Sequence, residues 1–85
     1  MQIKDHRQIL HSYGDLLSVF EISDEDTSGD VQYFGYLNSE GMWIIQKCDR
    51  SSSPVTYRYA SGRSGYAASW TLRADLSYAI YNLIF

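Results

Sequence analysis

The chain has 85 residues, with seven basic against ten acidic side chains and a formal net charge of -3. That balance does not supply the basic face that phosphate contacts and steering require, so nucleic acid is not an expected partner. One cysteine, Cys48, excludes an intrachain disulfide and a four-cysteine zinc site, and the two histidines, His6 and His11, offer at most a pair of metal ligands. A chain this short folds as one domain, 1–85, and buries only about 60–65% of its unfolded surface, so association with other chains is the available source of extra stability. No apolar run is long enough to cross a bilayer, and the opening MQIKDHRQ lacks the apolar region of a signal peptide. The free thiol fits synthesis in a reducing cytoplasm.

In chain order, Ile3, Ile9, Leu10 and Tyr13 fit a short helix over 3–13 loosely, with Gly14 as its stop, and LLSVFEI, 16–22, is rich enough in large apolar residues for a strand, so that helix and strand both stay open for this opening segment. SDEDTSGD, 23–30, reads as an acidic loop. VQYFGYL, 31–37, and MWIIQKC, 42–48, read as an antiparallel hairpin, with Gly41 where the connecting loop needs positive φ. VTYRYA, 55–60, alternates, with Val55, Tyr57 and Tyr59 on one face and Thr56 and Arg58 on the other. After the loop SGRSG, residues 66–73 suit one or two helical turns and 76–78 a last strand, with 79–85 a tail. Short strands divided by Gly and Ser turns predict a mainly β fold, a small antiparallel sandwich or barrel with a short N-terminal helix and a helical turn near 66–73. Thirteen aromatics, eight of them Tyr, make up 15% of the chain, a content that favours strands and is also common at protein interfaces.

Candidate chemistry is sparse. Asp24, Asp26, Ser28, Gly29 and Asp30 resemble the opening of a calcium loop. The position for its closing bidentate glutamate falls on Gly35, inside a predicted strand, which removes two of the roughly six to eight oxygens that calcium takes. A solvated loop that keeps strand edges from pairing with strangers is the competing reading. Cys48 stands beside Lys47 and Asp49 without a histidine near it in sequence, so a buried thiol is expected rather than a nucleophile. SGRSG lacks the GK[ST] ending of a phosphate loop. No enzyme activity, cofactor, membrane or small-molecule substrate is therefore expected. Tyr57, Arg58 and Tyr59 could form a patch for a sugar, a base or a protein loop, though alternation puts Arg58 on the other face. Tyr57, Tyr59, Arg63 and Tyr66 are the candidate binding surface, against tyrosines that fill a core edge with their hydroxyls at water.

SWTLRADLSY, 69–78, sets an arginine between two aromatics. The spacing of Trp70, Arg73, Leu76 and Tyr78 changes from three to two, as where a helical turn passes into a strand. An arginine there can donate to carbonyls left by the ending turn and lay its flat face on Trp70 or Tyr78, with Asp75 as cap or pair, and so brace a fold that has no disulfide.

Three segments, YFGYLNSEGMWIIQK (33–47), YRYASG (57–62) and SWTLRADLSY (69–78), resemble in order and spacing small virion-associated structural proteins of tailed bacteriophages. The residues that carry the resemblance are Trp43, Ile45 and Lys47, then Tyr59, Ala60 and Gly62, then Trp70, Arg73, Ala74, Leu76 and Tyr78. It covers about 31–78, and it departs from the family pattern at Tyr59, Ser61 and Leu72. What it implies is a structural component of a phage head, neck, tail or fibre, assembled in the host cytoplasm and in contact with other virion proteins. The small core and the apolar run YAIYNLIF, 78–85, add the expectation of a homo-oligomer. The alternatives are a carbohydrate- or host-surface-binding module built on Tyr57, Tyr59, Tyr66 and SGRSG, or a cytoplasmic phage protein that binds a host protein.

Overall fold

Two runs rich in aromatic and β-branched residues, 31–37 and 42–48, separated by an Asx-type turn, make the first pairing. Asn38 Oδ1 accepts from the backbone N–H of Glu40 at 3.0 Å and of Met42 at 2.9 Å, and Gly41 takes φ 87. The side chain thereby satisfies turn donors that the ladder cannot reach, and glycine supplies the left-handed residue. In the computed structural model, which describes residues 19–81, this hairpin is the centre of a four-stranded antiparallel sheet in the order β1-β2-β3-β4. The strands are β1 (Glu21–Asp26), β2 (Val31–Leu37), β3 (Trp43–Asp49) and β4 (Thr56–Gly62). A helix, α1 (Tyr66–Thr71), follows and passes into a 3-10 turn, Arg73–Asp75. The expected helix over 3–13, both histidines, the start of the 16–22 strand and residues 82–85 lie outside the described residues.

The fold is mainly β and antiparallel. Among the described residues the strands form one four-stranded sheet, with α1 and the 3-10 turn packed on one of its faces. Residues 66, 70 and 73 carry large side chains at helical spacing, so the segment buries one helical face instead of adding a second sheet. Three boundaries also move. The first strand runs through EISDED rather than ending at Ile22, so only 27–30 remain as the acidic loop. The fourth runs from Thr56 to Gly62 and leaves Val55 outside. Residues 76–78 form no strand. The extended chain makes a single bridge farther on, where Tyr59 and Ala79 exchange backbone hydrogen bonds of 2.8 and 2.9 Å.

Register sorts the side chains onto two faces. Ile45 lies opposite Gly35 and Ala60, and Trp43 opposite Leu37 and Gly62, on the face that α1 covers. Here Tyr33, Trp43, Ile45 and Ala60 form a buried cluster against Tyr66, Trp70, Leu76 and Tyr78. Ile45 is fully buried, which alone contributes about 1.5–3 kcal/mol. On the other face Phe20, Tyr36 and Ile44 form a second buried cluster, with Phe34, Met42 and Tyr59 against it.

The register of β1 shifts between Ile22, paired with Tyr36, and Asp24, paired with Gly35. In an unbroken strand Ile22, Asp24 and Asp26 would share a face. The extra residue, Ser23, is a bulge that leaves Ile22 on the face away from α1 and turns both aspartates beneath α1. That re-aiming creates the polar contacts described next.

Candidate functional site

The SWTLRADLSY segment closes over the sheet as one connected unit. α1 begins after Gly65, which takes φ 74, and Tyr66 and Trp70, one turn apart, stack with ring centroids 6.2 Å apart. Beneath them lies Gly35, where a Cβ would meet the Tyr66 hydroxyl and come within 3.0 Å of Trp70 Cε3. The missing side chain allows Tyr66 to cross β2 and donate to Asp24 Oδ2 at 2.8 Å. Burial, and then the bond to Asp24, pushes the Tyr66 hydroxyl well above its usual range, so it stays a donor.

Arg73 sits where α1 ends. Its Nη1 donates to the Trp70 carbonyl at 2.8 Å, and its guanidinium lies 4.6 Å from the Trp70 ring and 5.9 Å from the Tyr33 ring. Nε and Nη2 both donate to Asp26 Oδ2, at 3.2 and 2.9 Å. Asp26 Oδ1 accepts from the Ser28 hydroxyl at 2.7 Å and from the Ser28 backbone N–H at 3.1 Å. Tyr78 closes the unit by donating from its hydroxyl to the Arg73 carbonyl at 2.8 Å, while Lys47 Nζ lies 5.4 Å from the Tyr78 ring. Burial pushes the Tyr78 hydroxyl up as well, which keeps it protonated for that bond. On the same face Trp43 Nε1 donates to the Ser64 carbonyl at 2.7 Å and ties the loop before α1 to β3.

Trp43, Ile45, Gly62, Trp70, Arg73, Leu76 and Tyr78 thus share one face. Tyr59 does not. It lies across the sheet, where Gln46 Nε2 donates to its hydroxyl at 2.9 Å and the Tyr81 ring meets it edge-on at 5.4 Å. The four residues of the candidate binding surface do not come together: Tyr57 and Tyr59 project from the face away from α1, Tyr66 from α1 over the other face, and Arg63 from the loop after β4. β-Alternation separates what sequence proximity suggests.

The partner of Arg73 is Asp26, 47 positions earlier, rather than Asp75. Its signal in the sequence was hidden twice, by a β1 too polar to read as a strand and by a bulge that reverses its facing. Of the calcium-like set, Asp24 accepts from Tyr66 and Ser23, Asp26 from Ser28 and Arg73, and Asp30 offers its carbonyl to the Arg50 N–H at 2.9 Å. Among the described residues, no group of three or more His, Cys, Asp or Glu is placed to hold a metal, and no helix is long and apolar enough to cross a membrane.

Ser28, and then Arg73, holds the Asp26 carboxyl down at about 2, against an ordinary value of 3.8. A depressed carboxylate contributes stability that is complete above its unfolded pKa and disappears as pH falls through the folded one. Thermal melts are therefore expected to lose stability between about pH 4 and pH 2. Asp26→Asn should melt lower at neutral pH and respond less steeply over that acid window. Parallel curves for the two proteins would remove Asp26 from the acid response.

Comparison with known proteins returned no match, whether with a family model, a curated protein or a solved structure.

Proposed function

We propose that the chain is a structural subunit of a tailed-phage particle and acts by packing against copies of itself and against other virion proteins. The observation that carries this reading is the convergence of the three resembling segments. Trp43 from the first, Gly62 from the second and Trp70, Arg73 and Tyr78 from the third meet in one packed face. Their polar groups are used inside the fold: the Trp43 indole on Ser64, the Arg73 guanidinium on Asp26 and Trp70, and the Tyr78 hydroxyl on Arg73. This use of the motif as architecture suits a small module whose work is done by its outer surface. Exposed Ile22, Val55, Tyr57, Leu72 and Ile80 give that surface apolar contact points.

Quantitative mass spectrometry of purified particles made from the genome that encodes the chain tests the reading. A fixed copy number per particle that survives further purification is expected. A chain found only in the soluble lysate, bound to a host protein, would replace this reading with that of a cytoplasmic phage protein. Light scattering on the isolated chain addresses self-packing separately, with mass rising with concentration as the expected result.

A further inference from the structure

We propose that the face of the sheet away from α1 carries a binding site for a small aromatic molecule with one hydrogen-bonding edge, of the phenol or indole class. This goes beyond the assembly reading and stands without it. A trough of about 220 Å³ opens on that face. Its floor is made by three buried side chains, Tyr36, Gln46 and Cys48, exposed by 4%, 2% and 1%. Its walls are Phe34, Gln32 and the exposed Ile22, Glu25, Arg50 and Tyr57.

Size and lining select the ligand. An apolar cavity of about 150 Å³ takes a benzene ring, so this trough holds a substituted ring or a fused pair. The rings of Phe34 and Tyr57 and the Ile22 side chain supply apolar walls for a flat molecule. The floor adds one polar demand. Tyr36 Oη has no hydrogen-bond partner among the described residues, and a buried hydroxyl left in that state is costly. Gln46 does not meet the demand with its Nε2, which donates to Tyr59 Oη. Burial, then the nearby Tyr59 and Glu25, pushes the Tyr36 hydroxyl up to about 12, so near neutral pH it is intact and able both to donate and to accept. A phenol O–H or an indole N–H brings the missing partner on a ring of fitting size.

Heteronuclear NMR titration of the full chain with p-cresol and with toluene, rings of the same size that differ by one hydroxyl, tests the proposal. Saturable shifts centred on Tyr36, Gln46 and Cys48 are expected, with p-cresol bound about tenfold more tightly, the scale of one hydrogen bond. Tyr36→Phe should erase that preference while still admitting toluene. Gln32→Trp, which fills the trough from a half-buried wall position, should abolish binding of both and keeps the test decisive if the Tyr36 variant folds poorly. The proposal is overturned by an absence of saturable shifts, which would mean that solvent alone occupies the trough. Equal affinities in the wild type, a p-cresol preference that survives Tyr36→Phe, or undiminished binding to Gln32→Trp would overturn it as well.

Discussion

Gly62→Val is expected to destabilise the protein by about 3 kcal/mol, at the upper end of overpacking costs. The cause is space. A Cβ built at Gly62 lies 2.5 Å from Trp43 Cζ2, 2.6 Å from Cε2 and 2.7 Å from Nε1. The indole opposite cannot yield, because Trp43 is buried and its Nε1 is fixed to the Ser64 carbonyl at 2.7 Å. Moving it would open the cluster formed with Tyr33, Ile45 and Ala60. Trp43→Ala alone should cost about 3–5 kcal/mol through lost burial and the cavity left behind. The two changes act on one contact, so the double variant should be less damaged than the sum of the singles by about 1 kcal/mol or more. Urea denaturation of the four proteins decides the point. Additive losses would mean that β4 and the indole are energetically independent.

Such losses are large for this fold. At about 0.05–0.15 kcal/mol per residue, a chain of 85 residues has a stability on the order of 4–13 kcal/mol. One misplaced side chain against Trp43 therefore removes a sizeable fraction of it. The dependence on single close contacts reflects a thin second layer. α1 has six residues, none of them fully buried, so the covered face is sealed by a few large rings rather than by a broad helix or a second sheet.

How far the sequence reveals this arrangement differs between segments for physical reasons. The central hairpin was legible because two strand-forming runs flank Gly41, which marks the turn, and its observed register joins Leu37 to Trp43 and Val31 to Asp49 without a break. The helical turn near 66–73 was legible from the three-residue spacing of Trp70, Arg73 and Leu76. β1 was not, because four of the six residues of EISDED are Asp or Glu, which strands disfavour, and its edge position among the described strands, with solvent on most side chains, makes that composition tolerable. The role of Asp24 and Asp26 could not be read even from a correct strand. Period-two reasoning places them with Ile22, and the bulge at Ser23 places them opposite. Gly35 presents a similar case. Inside a strand it looks like a weakness, whereas in space it is the opening through which Tyr66 reaches Asp24. The pattern within each strand was readable, and the contacts between distant segments were not.

Arg73→Ala is expected to cost about 2–4 kcal/mol, mostly through what it leaves behind. The exposed part of the interaction counts for little, since the two side chains of the Asp26 pair are 28% and 23% exposed and solvent screens them. The larger loss comes from the Trp70 carbonyl without its 2.8 Å donor, Asp26 Oδ2 without its two, and the Trp70 ring without the guanidinium stacked 4.6 Å away. Two comparisons separate these contributions. Arg73→Lys keeps the charge but cannot fork onto Asp26, reach the Trp70 carbonyl and lie flat on the ring at once, so it should recover less than half of the loss. Salt at about 1 M shortens the screening length to about 3 Å and would shrink the cost if a screened ion pair dominated. The expected cost of Arg73→Ala is nearly unchanged by salt, because stacking and hydrogen-bond satisfaction do not depend on long-range attraction. Full rescue by lysine would reduce Arg73 to a charge. A loss below about 0.5 kcal/mol in chemical denaturation would make it a surface residue and dissolve the link between α1 and β1.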